Sequence, residues 1–178
     1  MNIYMKNSPD YKKAMLITLQ TALSIAVAVT EALFPVSFGI QGVEPGLVNI
    51  ITVSSLVFFS FPETLLIIFL RCVIVSLLMN GPAQFVFSIT GGLLSAAVMW
   101  IMLKYARNIF SYAGISIAGS ITHNIVQVFV ACFLMNDISI MAFLSVMLVT
   151  GIFIGCLVGP CSYIQVKVMK KLNLIEYL

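Results

Sequence analysis

Charged side chains are scarce in this sequence, at 8% of 178 residues, whereas 61% of the residues are hydrophobic. A water-soluble domain of this size does not need so much apolar surface, and long apolar runs are typical of chains that cross a bilayer. The basic residues lie almost entirely at the ends of these runs, so there is no basic groove for nucleic acid. Nearly all of the length is needed for the runs, which predicts a single transmembrane domain over residues 1–178.

The sequence also lacks the motifs of catalysis and metal binding. It has no G-x-x-x-x-G-K-[ST] loop, so the chain cannot itself use ATP to drive transport. It has no Ser/His/Asp or H-E-x-x-H arrangement, and no paired aspartates to hold Mg²⁺ for prenyl diphosphate chemistry. The four cysteines form no C-x-x-C pair and are expected to be small buried apolar residues: Cys72, Cys132, Cys156 and Cys161. We therefore predict no enzyme activity, no catalytic residue, no metal and no cofactor.

Proline, glycine and charged residues divide the apolar sequence into six segments. They predict an all-α integral membrane protein with six transmembrane helices at about 14–33, 47–61, 64–79, 84–103, 113–134 and 138–164. The first apolar run is longer than that of a typical signal peptide, so it is expected to be a retained helix. The second and third segments are short, which favours inner helices or a thin part of the bilayer.

The distribution of Lys and Arg predicts the orientation of these helices. With both termini in the cytoplasm, eight of the nine basic residues lie inside, and the ninth is Arg71. The outer loops then carry Glu44 and Asp137 but no Lys or Arg. Because cytoplasmic loops are enriched in Lys and Arg, we predict a multi-pass protein of the cell membrane with cytoplasmic termini.

Polar side chains are concentrated at the midplane and in the predicted outer half. Arg71 lies near the middle of the third helix, where a charge costs roughly 2.5–3.5 kcal/mol on insertion scales. The fifth helix carries "HNIVQ" (123–127), in which His123 and Gln127 share one face. These groups predict a cavity that is open to the outside, with Arg71 at its floor to bind an anion. The candidate substrate-binding residues are Glu44, Asn49, Arg71, Gln84, His123, Asn124 and Gln127.

A second interpretation of the same residues is structural. Arg71 could pair with Glu31, while His123, Asn124 and Gln127 hold helices together by interhelical hydrogen bonds, which average about 0.6 kcal/mol in one system. The sequence leaves both interpretations open.

Two stripes of small residues bear on packing. The sixth helix contains "GIFIGCLVG", with Gly151, Gly155 and Gly159 on one ridge that favours close packing within the monomer. The first helix has a small residue at every fourth position: Ala14, Thr18, Ala22, Ala26 and Thr30. This second stripe could pack the monomer or contact another subunit, and the sequence does not separate the two.

Four stretches resemble the Gx transporter family, also called heptaprenyl diphosphate synthase component I. They are "GVEPGLVNIIT" (42–52), "LRCVIVSLL" (70–78), "GGLLSAAVMW" (91–100) and "HNIVQ" (123–127), within a resemblance that covers about residues 14–165. The resemblance implies a bundle like that of the substrate-binding S components of energy-coupling factor (ECF) transporters. It implies as partners an ECF T component and two cytosolic ATPase subunits, with docking through an A-x-x-x-A motif that Ala22 and Ala26 match.

The predicted function is therefore capture of a small molecule from outside for an ECF importer embedded in membrane lipid. Arg71 indicates an anion, and nearby aromatic residues indicate a flat or apolar body such as a vitamin or quinone precursor; a hydroxynaphthoate has both properties. One alternative is a non-catalytic membrane subunit of a prenyl diphosphate synthase or redox complex. Another is a self-sufficient channel or permease.

Overall fold

A computed structural model describes residues 10–33, 46–79, 81–106 and 109–171, and these residues form helices and short connections without strands. This confirms the prediction of an all-α membrane protein. Six α-helices follow one another along the chain: α1 Asp10–Leu33, α2 Asn49–Phe58, α3 Phe61–Leu78, α4 Gly81–Tyr105, α5 Tyr112–Met135 and α6 Leu144–Lys171. A 3-10 helix, Ile138–Phe143, leads into α6.

Five of the helical segments are long and apolar enough to cross a membrane, so the chain is a multi-pass membrane protein. The exception is α2, whose 10 residues span about 15 Å, half of a hydrocarbon core about 30 Å thick. All but one of the residues of α2 are buried, and α2 packs against each of the other five α-helices. The segment predicted at 47–61 is therefore an inner helix at the centre of the bundle, and it is shorter than predicted.

The boundaries of α3 and α5 follow from local hydrogen bonds. Ser60 and Glu63 form a capping box at the start of α3, in which the backbone N–H of Ser60 donates to the Glu63 carboxylate at 2.8 Å. At the C-terminal end of α5, Asn136 has a φ of 51° and its N–H donates to the carbonyl of Cys132. Asparagine tolerates this left-handed conformation, which ends the helix before the short 3-10 segment.

The packing of α5 on α6 is the most extensive helix contact in the described bundle. A Cβ placed on Gly155 would collide with the backbone of Ile117, and one on Gly159 would collide with Ala113. The ridge of Gly151, Gly155 and Gly159 is buried along this contact. The prediction that this stripe packs the monomer is confirmed, because only glycine lets the two backbones approach so closely.

The small-residue stripe of α1 is exposed, in contrast to the buried glycine ridge of α6. All five of its members are exposed on the surface of the bundle: Ala14, Thr18, Ala22, Ala26 and Thr30. The two threonine hydroxyls donate to backbone carbonyls one turn earlier in α1, so they need no partner from another helix. This stripe therefore does not pack the described bundle.

The cysteines differ from the sequence-based expectation. Cys72 is buried, but Cys132 is half-buried, and Cys156 and Cys161 are exposed on α6. Hydrophobicity alone does not distinguish a core position from a lipid-facing one, because both are apolar environments in a membrane protein. The expectation of burial was therefore wrong for Cys156 and Cys161.

Candidate functional site

Arg71 lies just past the middle of α3 and is almost fully buried, at 2% exposure. Its guanidinium group extends toward α4, where a Cβ on Gly92 would lie 3.1 Å from Nη2. Nη2 also lies 3.3 Å from the sulfur of Cys72. The missing side chain of Gly92 therefore provides the space that the arginine occupies.

His123 lies at the middle of α5 and packs against Gly91, the residue that precedes Gly92 on α4. A Cβ on Gly91 would lie 2.9 Å from both Nδ1 and Cε1 of the imidazole. On the other side of the ring, Nε2 of His123 lies 3.0 Å from Nε2 of Gln127. Because Gly91 and Gly92 are consecutive, the backbone of α4 holds Arg71 and His123 close together.

The beginning of α2 forms a further side of this cluster. Gly46 has a φ of 93°, and a Cβ built on it would lie 3.3 Å from Nδ2 of Asn49 and 3.5 Å from Cδ2 of His123. The Glu31 carboxylate of α1 accepts hydrogen bonds from the backbone N–H groups of Gly46 and Leu47, the second at 2.9 Å. Negative charge is favourable where backbone N–H groups precede a helix. Glu31 thereby fixes the entry to α2 beside His123.

Several polar atoms of the cluster have no hydrogen-bond partner among the described residues. They include the amide nitrogen of Asn49, the amide oxygen of Gln127 and Nδ1 of His123, and the three side chains are at most 1% exposed. A buried polar atom without a partner costs about 1–3 kcal/mol. A ligand that carries both donor and acceptor groups would supply missing partners.

The remaining candidate residues are located differently. Asn124 points to α6, where its amide nitrogen donates to the carbonyl of Met147 at 2.8 Å, which links the two helices. Gln84 is buried in the first turn of α4. Glu44 lies outside the described residues. Roles in substrate binding for Asn124, Gln84 and Glu44 stay predictions.

The sequence interpretation missed the contribution of glycine to this site. Gly91 and Gly92 begin one of the family-like stretches, but they were not identified as site residues. Two consecutive glycines in the middle of an apolar helix are unfavourable for helix formation, by roughly 1 kcal/mol each relative to alanine. A helix that keeps two glycines despite this cost indicates a place where large side chains approach its backbone, and this was the signal that the sequence offered.

Comparisons with known proteins identify the family of the chain. No curated protein and no solved structure matches the chain. The sequence model of a family described as heptaprenyl diphosphate synthase component I matches residues 20–164, which is most of the chain. The chain therefore belongs to the heptaprenyl diphosphate synthase component I family.

Proposed function

We propose that this protein is the substrate-binding S component of an ECF importer. The observation that carries the proposal is the buried Arg71, which lies just past the middle of a helix long and apolar enough to cross a membrane and packs against Gly92 of α4, next to the contact of Gly91 with His123. Charged residues at this depth are costly, and they usually mark a path or a binding site for a polar substrate. The proposal includes the predicted orientation, with the lysines at the ends of α1 and α6 on the cytoplasmic side.

The proposed ligand is a small anion with a flat or apolar body. Arg71 supplies a planar group that can hold a carboxylate through two hydrogen bonds. The unpartnered amide atoms of Asn49 and Gln127 suit a ligand that also carries a hydroxyl group. Aromatic side chains lie on the same helices, including Phe87 of α4, which is buried. A hydroxynaphthoate, a quinone precursor, fits all of these features.

The proposed docking surface for the T component is the exposed stripe of α1. Ala22 and Ala26 have small side chains that would let a partner helix approach the backbone closely. Next to this stripe, an apolar groove of about 400 Å³ runs between α1 and α6. Its floor includes a hydrogen bond of 3.0 Å from Gln165 to Gln20, which joins the two helices. The two cytosolic ATPase subunits would supply the energy for transport.

The description of the family favours a second candidate function. A protein described as component I of a heptaprenyl diphosphate synthase could be a non-catalytic membrane subunit that recruits a soluble synthase. The buried charged cluster is not needed for such a role, whereas a binding site requires it. We therefore rank the importer subunit first.

Purification from native membranes tests the two candidates directly. An affinity-tagged copy is expressed from its own locus and isolated in mild detergent, and its partners are identified by mass spectrometry. We expect a T component and two ATPases in stoichiometric amounts. Isolation of a soluble prenyl diphosphate synthase in their place would favour the second candidate. Mass spectrometry of small molecules released from the same sample identifies the ligand.

A further inference from the structure

Three fully buried serine hydroxyls have no hydrogen-bond partner among the described residues. They belong to Ser55 of α2 and to Ser116 and Ser120 of α5. A helical serine ordinarily places its hydroxyl on a backbone carbonyl of its own helix, about one turn earlier. Serines elsewhere in the described helices make this bond: Ser24, Ser54, Ser76, Ser95 and Ser162. The three exceptions lack this local partner in the interior of the bundle, where an unsatisfied hydroxyl is most costly.

The two serines of α5 continue the polar face that carries the candidate site. At 3.6 residues per turn, the directions of Ser116, Ser120, His123 and Gln127 fall within about 60° of one another. All four side chains are fully buried. At a rise of 1.5 Å per residue, Ser120 lies about 4.5 Å and Ser116 about 10.5 Å from His123, toward the N-terminal end of α5. The polar face therefore extends well past His123.

The serine of α2 lies at a similar level. The segment that leads into α2 packs against His123 at Gly46, and Phe58 at the other end of α2 shares a core cluster with Ile115 of α5. Because the two helices pack on each other, they run in opposite directions. Ser55 lies between these two contacts, at the level of the serines of α5. The apolar cluster around Ile115 ends the polar region on that side.

We infer that Ser55, Ser116 and Ser120 form an inner subsite that binds an uncharged polar group, a hydroxyl or a carbonyl, at the far end of the ligand. The inference rests on the proposed function and deepens it, because the ligand is then elongated, with its other polar end at Asn49 and Gln127. A hydroxyl can both donate and accept, so the serines suit a neutral group, whereas a buried charge would need a charged partner. Unsatisfied groups of this kind lower stability, a cost that proteins accept at functional sites.

The stability of the ligand-free protein tests the subsite without knowledge of the ligand. Ser55→Ala, Ser116→Ala and Ser120→Ala each remove an unsatisfied polar group. The control is Ser54→Ala, because the equally buried Ser54 hydroxyl donates to the carbonyl of Ile51 at 2.9 Å. All four variants gain the same helix propensity. We expect the first three to melt at a higher temperature than the control in lipid nanodiscs. Equal or lower melting temperatures would mean that protein or water already satisfies these hydroxyls, and would overturn the inference.

A matched pair of ligands tests what the subsite binds. 2-Naphthoate and 6-hydroxy-2-naphthoate share the same carboxylate and rings, and they differ in one hydroxyl at the opposite end. We expect the unsubstituted protein to bind the hydroxy compound about tenfold more tightly by calorimetry, roughly the effect of one hydrogen bond. Ser116→Ala and Ser120→Ala should remove this preference, whereas Ser54→Ala should keep it.

The outcomes separate this inference from the proposed function. Equal affinity of the unsubstituted protein for the two naphthoates contradicts the inner subsite, even where a T component copurifies and the importer proposal stands. If neither compound binds, the naphthoate body of the proposed function is wrong. The melting temperatures of the serine variants then still decide whether the inner subsite exists.

Discussion

Arg71 on α3 and Gly92 on α4 are packed so closely that a Cβ on Gly92 would lie 3.1 Å from Nη2 of the arginine. Gly91 has the same relationship to His123 from the next position along α4. Arg71 and His123 are therefore both packed against the backbone of α4.

Alanine at Gly91 or Gly92 is expected to weaken ligand binding by about tenfold, or about 1.4 kcal/mol. The new methyl group would displace the imidazole or the guanidinium by a few tenths of an ångström from its position. The measurement is a titration of purified protein with the retained ligand or with 2-naphthoate. Gly114→Ala, where the new Cβ would contact Phe110 at 3.3 Å near the start of α5, is the matched control. Equal effects at Gly92 and Gly114 would show that the contact with Arg71 has no part in binding.

Arg71→Lys is expected to weaken binding by about 1.5–3 kcal/mol, the usual contribution of a hydrogen bond to a charged group. Lysine keeps the charge but lacks the planar fork that holds a carboxylate. His123→Ala and Gln127→Ala should weaken binding less, since they would orient the ligand rather than neutralise it. Calorimetry on the three purified variants gives the comparison.

The structural interpretation of Arg71 predicts a different result for a double variant. If the arginine only balances the charge of Glu31, then Arg71→Met with Glu31→Gln leaves no unpaired buried charge. Near-normal affinity in that double variant would show that Arg71 stabilises the fold and does not bind the ligand. We expect that the double variant still binds the ligand much more weakly than the unsubstituted protein does. A thermal melt of the double variant checks that it is folded.

Ala26→Leu on α1 is expected to prevent assembly with the T component while ligand binding stays within about twofold. Ala26 is exposed, so the larger side chain should not disturb the bundle, but it would keep a partner helix away. Copurification of the tagged subunit measures assembly. Ala83→Leu, at another exposed alanine on α4, serves as the control. Loss of folding in Ala26→Leu, or intact assembly, would contradict the proposed docking surface.

Gly155→Ala is expected to destabilise the bundle by about 1–3 kcal/mol, the usual cost of overpacking. Its Cβ would collide with the backbone of Ile117, which cannot rotate away. Gly151→Ala should cost less, because its closest contact would be the Asn124 side chain at 3.1 Å. Cys156→Ala on the exposed side of α6 should have an effect within about 0.5 kcal/mol. Unfolding in mixed micelles measures all three, and equal stability of Gly155→Ala and Cys156→Ala would refute the predicted close approach.

The orientation can be tested with single cysteines in a protein whose native cysteines have been replaced. A cysteine at Asp137, which is exposed between α5 and α6, should react with an impermeant reagent added outside the cell. The same is expected at Glu44. A cysteine at Lys104 near the end of α4 should react only after the membrane is permeabilised. Reaction at Lys104 in intact cells would reverse the topology and exclude uptake in the proposed direction.

The sequence by itself determined the class of fold and the approximate helices, because the need to bury apolar runs in lipid depends on composition and length. It also identified Arg71, His123 and Gln127 as a group, since charge and polarity are conspicuous in an apolar chain. The sequence could not determine which apolar face meets protein and which meets lipid. For that reason the exposure of Cys156 and of the α1 stripe came only from the structure.

The tertiary structure decided what each polar group contacts. Asn124 and His123 are adjacent in sequence, yet one bonds to α6 and the other packs against α4, because consecutive helical residues point about 100° apart. Glu31 accepts a hydrogen bond from the backbone N–H of Gly46, 15 residues along the chain, and no local sequence pattern specifies that contact. Glycine has no side chain to signal a contact, so the roles of Gly91 and Gly92 became visible only once the helices that press against them were in place.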